Sequence, residues 1–182
     1  ALHQLSDSQI DFTIDQQYDV ILDLPVGHKT IKNLKLDYGS NGAISIPIAV
    51  YEKLKRYNVV NNNYHIIGYN QSGISGEKRK IANEFAYADS VKLGDFLMDS
   101  VKIKSGGKGL LGTDVLSKYI VTINWKDQKL HFQESNNVVT DAMRSLGFSL
   151  YFDKNQQVKV KSVVEESAAY NLGIRPDFQF LQ

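Results

Sequence analysis

One structural pattern occurs twice in this sequence, and the repeat constrains the fold more than any other feature. In the first copy, the alternating residues Leu34-Lys35-Leu36 precede a loop rich in glycine and asparagine, a short apolar segment, and Pro47 at the start of a helix. In the second copy, Val101-Lys102-Ile103 precede the glycine-rich residues 105–109, and Leu110-Leu111-Gly112 lead into another helix. The repeat predicts a mainly β unit whose two halves are related by an approximate twofold axis. In such a unit residues 37–39 and 110–112 are expected to lie near each other.

Hairpins are predicted on both sides of this repeat. Residues 18–24 and 30–36 alternate as strands around a turn with proline and glycine, and residues 120–125 and 129–132 form a second such pair. A helix is predicted over residues 48–57, and Thr113 is expected to cap the helix that follows Gly112. These elements place a single β domain over residues 1–138.

Two segments of this domain are too polar to predict regular structure. We expect residues 1–17 to be irregular and residues 58–76 to be a loop, whereas residues 96–103 are predicted to form one strand. The expected core consists of apolar strand and helix residues, with Lys35, Lys102 and Lys104 facing solvent. The residues predicted to be buried are Leu34, Leu36, Ile44, Ile46, Val101, Ile103, Leu110, Leu111, Leu116, Ile123 and Trp125.

A second module is predicted over residues 142–182, after a polar connector at residues 134–141. Residues 145–150 are expected to enter a strand, and residues 158–163 are expected to form another. Ser167 is expected to cap a short helix that stops at Gly173. The module therefore has an α/β character.

Composition excludes several classes of function. The net charge of +1 arises from 21 basic and 20 acidic residues, so no strong field favours nucleic acid. There are no cysteines, which excludes disulfides and thiolate chemistry. No apolar run approaches the ~20 residues that a membrane-spanning helix requires. Because the chain begins at Ala1 rather than Met, we expect a processed form whose targeting segment has been removed.

Residues 18–133 resemble one unit of the retropepsin-like aspartic peptidases. The residues that carry the resemblance are Asp37-Tyr38-Gly39, followed by Ser40, and Leu110-Leu111-Gly112. In that family an Asp-Thr/Ser-Gly loop supplies the catalytic carboxylate, and two hydrophobic residues with a glycine form a second loop. The resemblance implies a retropepsin-like β unit with short helices, in which Asp37 is catalytic and Tyr38, Gly39 and Ser40 form the active-site loop.

The resemblance also implies the chemistry and a partner. Two carboxylates about 3 Å apart cannot both ionise, so one stays protonated while the other deprotonates the attacking water. One unit supplies one such aspartate. We therefore expect a protein or peptide substrate, no metal and no cofactor, and a second Asp-bearing lobe that is either a homodimer partner or an upstream domain. Alone, the chain is expected to be inactive.

Position 38 departs from the family pattern. The small hydroxyl residue of the motif, which joins the two loops across the dimer axis, is replaced by Tyr38. Its ring does not fit that space. The alternative function is therefore a non-catalytic peptide-binding or dimerisation domain, and the alternative role of Asp37 is a turn-forming residue.

The family also carries a mobile hairpin, the flap, between its two motifs. Here it would fall around residues 67–82, with Gly68, Tyr69 and Asn70 as candidates for its tip. Tyr69 would then cover a bound peptide, although an exposed loop aromatic is an equally acceptable interpretation.

The second module resembles the first part of a PDZ domain. Ser145 and Leu146-Gly147-Phe148 are similar to the loop that binds a peptide carboxylate, and residues 167–177 are similar to a later stretch of the family. We expect this PDZ-like portion to be incomplete, because the helix on the far side of the peptide groove has no counterpart. A plain β-hairpin extension is the alternative.

Other candidate sites are less convincing. Lys108 lies before the last glycine of residues 105–109, so the spacing of a phosphate-binding P-loop is wrong. The four histidines are too dispersed to predict a metal site. The sequence therefore predicts an aspartic-type peptidase (a hydrolase), and a peptidase joined to a PDZ-like module suggests by analogy a bacterial protein outside the cytoplasm.

Overall fold

The computed structural model describes residues 8–72, 77–135 and 146–179. For residues 70–72 and 77–82 it describes the backbone alone. The strands are β1 (Gln9–Ile14), β2 (Val20–Val26), β3 (Lys29–Leu36), β4 (Ile44–Ile46), β5 (Asn61–Ser72), β6 (Glu77–Ala88), β7 (Val91–Leu93), β8 (Phe96–Met98), β9 (Val101–Ser105), β10 (Leu110–Leu111), β11 (Tyr119–Asn124), β12 (Lys129–Glu134), β13 (Phe148–Phe152) and β14 (Val158–Val164). The helices are α1 (Ile48–Arg56), α2 (Thr113–Leu116) and α3 (Ala168–Asn171). The predicted mainly β class is confirmed.

The described residues form two compact units. The first contains residues 8–63 and 86–135, and the second contains residues 64–72, 77–85 and 146–179. The hairpin of β5 and β6 thus belongs for most of its length with the C-terminal segment, although the sequence placed it within the first domain. The predicted boundary between the two domains, at residues 138–142, lies within residues 136–145, which are outside the described residues.

The sheet of the first unit has the strand order β11-β12-β1-β2-β3-β10-β4-β9, and β7 pairs with β2 and β8. Most neighbouring strands are antiparallel. β10 lies between β3, to which it is parallel, and β4, to which it is antiparallel. β4 is in turn parallel to β9. A short strand from the second half of the repeat is therefore inserted between two strands from the first half.

Most of the predicted core is confirmed. Seven of the residues are buried: Leu34, Ile44, Ile46, Val101, Ile103, Leu111 and Leu116. Leu36, Leu110 and Ile123 are half-buried, as are Lys35 and Lys104, whereas Lys102 is exposed. The two half-buried lysines do not face solvent as fully as expected.

The prediction that Trp125 is buried is wrong. β11 ends at Asn124, so Trp125 lies in the turn before β12, and its side chain is 55% exposed. One edge of the indole packs against the ring of Phe12 with the ring centroids 5.7 Å apart.

Helix α1 forms where the apolar spacing predicts it. Pro47 stands at the N-cap, and Tyr51 and Leu54 are buried on the inner side. The Tyr51 hydroxyl donates a 2.5 Å hydrogen bond to Oδ1 of Asn63, which satisfies this buried polar group.

Three of the predicted secondary-structure assignments are wrong. Residues 9–14 form β1, which pairs with β2 and β12, and residues 61–72 form β5. Residues 96–105 form two strands rather than one, because Ser100 adopts a positive φ of 53° between β8 and β9. Long-range pairing orders the two polar segments, and local composition does not reveal it.

The second unit is a small sheet with strands in the order β6-β5-β14-β13. β13 and β14 form a hairpin around a turn at Asp153, whose Oδ1 accepts the N–H groups of Asn155 and Gln157. Ser167 caps α3 by accepting the N–H of Tyr170, as predicted. Gly173 follows the helix with a φ of 84°, which also agrees with the prediction.

No helix in the described part of the chain has the length and apolar character needed to cross a bilayer.

Candidate functional site

Asp37 directly follows β3, at the start of a turn that leads to β4. Its side chain is half-buried, and Oδ1 accepts a 2.8 Å hydrogen bond from the N–H of Gly39. This is the turn geometry that an aspartate favours on its own, so it agrees with both interpretations of Asp37. Within the described part of the chain, no other hydrogen bond reaches this carboxylate.

The second motif holds this turn in place. The N–H of Asp37 donates a 2.9 Å hydrogen bond to the carbonyl oxygen of Leu111. One step earlier, the N–H of Lys35 donates to the carbonyl oxygen of Gly109, also at 2.9 Å. These bonds continue the parallel register in which Leu111 faces Leu36. The prediction that the two motifs lie next to each other is confirmed.

The residues after Leu111 add a second attachment. The N–H of Gly112 donates to the carbonyl oxygen of Ala43 at 2.8 Å. Both the N–H and the hydroxyl of Thr113 donate to the carbonyl oxygen of Ser40, each at 2.9 Å. Ser40 therefore joins the first loop to the second through its backbone carbonyl oxygen. Thr113 does not cap its own helix as predicted, because Gly112 occupies the N-cap position of α2.

Gly112 is required by the closeness of the two loops. A Cβ atom at this position would lie 2.3 Å from the carbonyl oxygen of Gly42 and 2.7 Å from that of Ser40. Backbone atoms cannot move away as the end of a flexible side chain can. The hydrophobic-hydrophobic-glycine pattern thus has a steric reason here, since only glycine permits this approach of the two backbones.

Tyr38 lies on the outer side of the turn. Its side chain is 55% exposed, and partial burial raises the pKa of its hydroxyl above the ordinary value. A large aromatic side chain next to Asp37 occupies the surface where the resemblance expects a small hydroxyl group. Gly39, the third residue of the motif, is exposed.

A lysine stands near the candidate carboxylate. Nζ of Lys35 lies 2.6 Å from Oδ2 of Asp19, and this hydrogen bond raises the pKa of Lys35. The charges of Asp19, Asp37 and Asp15 act in the same direction. Lys35 is thus paired with Asp19, and it lies close enough to Asp37 for the charge of Asp37 to act on it.

The described residues contain no group of three or more His, Asp or Glu side chains arranged to hold a metal ion. The three described histidines lie in turns or strands that are far apart in the chain, at His28, His65 and His131. His3 lies outside the described residues. The site therefore consists of Asp37 and the backbone that orients it.

The flap candidates occupy a different position from the one predicted. Gly68, Tyr69 and Asn70 lie inside β5 rather than at the tip of the hairpin. Gly68 faces Ser162 of β14, and a Cβ atom at Gly68 would lie 2.4 Å from the carbonyl oxygen of Lys161. Residues 73–76, between the two strands, lie outside the described residues.

The candidate carboxylate-binding loop precedes β13. Leu146 is exposed, Gly147 has a φ of 87°, and Phe148 is half-buried at the start of the strand. The carbonyl oxygen of Gly147 accepts a 2.7 Å hydrogen bond from the N–H of Val164. A Cβ atom at Gly147 would lie 2.3 Å from Cβ of Ser167, so glycine is needed where the loop passes α3. Ser145 lies outside the described residues.

Two features of the site were missed from the sequence. The Thr113 hydroxyl donates a hydrogen bond to the carbonyl oxygen of Ser40, and Lys35 forms an ion pair with Asp19. In each case the two residues are distant in the chain. A threonine before an acidic residue is also the usual signal of a helix cap, so the sequence favoured the local role. No protein-family model, no curated protein and no solved structure matches this chain.

Proposed function

We propose that this chain is one lobe of an aspartic-type endopeptidase, in which Asp37 supplies one carboxylate of a catalytic pair. The observation that carries the proposal is the bond from the Asp37 N–H to Leu111, on a strand inserted between β3 and β4. It fixes the turn through the backbone and leaves the carboxylate half-exposed. A catalytic carboxylate needs this combination of fixed position and access to a second group.

The proposed reaction requires a second carboxylate close to Asp37. In such a pair one carboxylate is ionised and its neighbour is protonated. The ionised group takes a proton from water as the water oxygen attacks the peptide carbonyl carbon, and the protonated group donates to the carbonyl oxygen. When the carbon–nitrogen bond breaks, a proton passes to the leaving nitrogen, which gives an amine and a carboxylic acid.

The second carboxylate is proposed to come from another Asp-bearing lobe. That lobe is either a second copy of this chain or a domain that precedes it in a longer protein. The exposed turn at Tyr38 and Gly39 is the surface on which the partner loop would lie.

One observation favours a second candidate function, peptide binding without cleavage. Tyr38 is large and outward-facing, and it occupies the position of a residue that would join the two loops. If its ring keeps the lobes apart, the fold is retained while the carboxylates do not reach each other.

A tandem protein tests both functions. Two copies joined by a long Gly/Ser linker raise the effective concentration of the second lobe to about the millimolar range. We expect the tandem protein to cleave a mixed peptide library at acid pH, and expect Asp37→Asn in either copy to abolish cleavage. Asp99→Asn, an exposed aspartate in the turn before β9, is the matched control and should retain activity.

Two results would contradict the peptidase. Cleavage that persists with Asp37→Asn in both copies would exclude Asp37 as the catalytic group. Peptide binding without cleavage, in both the tandem protein and its Tyr38→Thr form, would favour the binding function instead.

A further inference from the structure

Asn41 and Gly42 are the one asparagine–glycine pair in the sequence, and they lie in the loop between β3 and β4. Such a pair can modify itself, because the main-chain nitrogen that follows an asparagine can attack the carbon of the side-chain amide. A side chain on the second residue crowds this attack, and glycine has none. In a folded protein the attack also requires an accessible asparagine and a glycine N–H that the fold does not hold.

The structure meets both requirements. Asn41 is exposed, and a Cβ atom built on Gly42 would have no neighbouring atom within 4 Å. Within the described part of the chain, the N–H of Gly42 donates no hydrogen bond. The attacking nitrogen and its target are therefore accessible without any opening of the loop.

The residues on either side are anchored through their carbonyl oxygens. The carbonyl oxygen of Ser40 accepts two hydrogen bonds from Thr113, and that of Gly42 accepts a 3.3 Å hydrogen bond from the N–H of Asp114. Both donors lie in the first turn of α2. The peptide bond between Asn41 and Gly42 lies between these anchors, so a longer main chain at this point would disturb the attachment of the loop to α2.

We propose that Asn41 is a site of spontaneous deamidation, and that its isoaspartyl product loosens the attachment of this loop to α2. In the first step the nitrogen of Gly42 bonds to Cγ of Asn41. The bond from Cγ to the side-chain nitrogen breaks, and that nitrogen leaves as ammonia with the proton from the Gly42 N–H. The product is a five-membered succinimide ring.

Water then opens the ring at one of its two carbonyl carbons. It supplies a hydroxyl group to that carbon and a proton to the nitrogen of Gly42. Attack at the former Cγ gives an aspartyl residue with an ordinary main chain. Attack at the main-chain carbon gives an isoaspartyl residue, whose main chain runs through the former side chain and is one carbon longer. Either product adds a carboxylate to the loop that follows Asp37, since an ordinary aspartyl pKa is about 3.9.

Peptide mapping by mass spectrometry tests the modification in the complete 182-residue chain. The protein is incubated at mildly alkaline pH, where the attacking nitrogen loses its proton more readily. The assay follows replacement of the amide by a carboxylate at Asn41. We expect the folded chain to react within about tenfold of the rate of the chain unfolded in urea, because no local opening has to precede the attack.

Two variants and one internal control test the ring mechanism. Asn41→Gln should abolish the reaction, because the longer side chain would have to close a six-membered ring. Gly42→Ala adds a methyl group where the fold has room, and crowding should slow the reaction about tenfold. Asn155 is also exposed in a turn, but it precedes Gln156 and should react at least about tenfold more slowly than Asn41.

Hydrogen exchange tests the effect on the loop. The isoaspartyl fraction is separated by its added charge and identified by enzymatic methylation of its carboxylate. In this fraction the amide of Thr113, which donates to Ser40, should exchange at least about tenfold faster than in the unreacted chain. The amide of Phe12, which donates to Gln128, should stay within about twofold. Asn41→Asp adds the charge on an ordinary main chain and should leave Thr113 within the same limit.

Deamidation through the ring is wrong if the folded chain reacts more than about a hundredfold slower than the unfolded chain. It is equally wrong if Gly42→Ala reacts as fast as the wild type. The loosening is wrong if the isoaspartyl fraction and Asn41→Asp show the same exchange at Thr113. All of these results are independent of whether the chain cleaves peptides.

Discussion

The N–H of Asp37 and the carbonyl oxygen of Leu111 are joined by a 2.9 Å hydrogen bond. This bond connects the first half of the repeat to the second. It ties the turn that carries the candidate carboxylate to a strand that β3 and β4 enclose. The position of Asp37 therefore depends on how well β10 is packed.

Leu111→Ala should destabilise the first unit. Leu111 is fully buried, and removal of such a side chain costs about 2–5 kcal/mol of unfolding free energy through lost burial and the cavity that remains. Urea denaturation measures this loss. Leu110→Ala, on the same strand but half-buried, is the matched control and should cost clearly less. Equal losses for the two variants would contradict the inserted position of β10.

Gly112→Ala should be far more damaging than Gly42→Ala. The added methyl group at Gly112 meets two backbone carbonyl oxygens, whereas at Gly42 no atom lies within 4 Å. We expect a loss of about 3 kcal/mol for the first change, the upper end of the usual range, and less than about 0.5 kcal/mol for the second. Thermal unfolding followed by circular dichroism compares them. A neutral Gly112→Ala would mean that the two loops are not in contact.

Tyr38→Thr should leave stability unchanged and strengthen pairing of the lobes. Because the Tyr38 side chain is largely exposed, the free energy of unfolding should change by no more than about 0.5 kcal/mol. The smaller hydroxyl residue should increase self-association, measured by sedimentation equilibrium. Tyr57→Thr removes another exposed tyrosine, at the end of α1, and should not affect self-association. Weaker association of Tyr38→Thr would instead assign the ring to the interface.

The turn of the second unit should respond to acid. A hydrogen bond from Lys159 lowers the pKa of Asp153 to about 2, and the N–H groups of Gln157 and Asn155 act in the same direction. Since this pKa lies below the value of about 3.9 for an unfolded chain, the interaction stabilises the module at neutral pH. Its contribution is lost as the pH falls from about 3.9 towards 2.

Lys159→Met should therefore raise the pKa of Asp153 towards its ordinary value, as measured by NMR titration of the carboxyl carbon. Lys154→Met removes a lysine from the same turn and should leave the titration unchanged. An unchanged pKa in Lys159→Met would show that the backbone hydrogen bonds alone lower it.

The site could be predicted in part because its two motifs are local. Asp37-Tyr38-Gly39 and Leu110-Leu111-Gly112 carry turn and strand signals within a few residues, and their juxtaposition followed from the repeat. The attachment of Thr113 to Ser40 could not be predicted, since one hydroxyl can cap its own helix or reach another loop, and only packing selects between them.

By itself, the sequence determined the mainly β class, most of the first core, helix α1 and the capped helix α3. Each depends on residue spacing or on a capping side chain that bonds to a residue a few positions away in the sequence. Tertiary structure alone decided that β10 enters between β3 and β4, and that β5 joins β14. It also decided that Trp125 lies in a turn. Strand pairing is a choice of partner among distant segments, and a polar stretch such as residues 61–72 becomes a strand only when a partner satisfies its backbone.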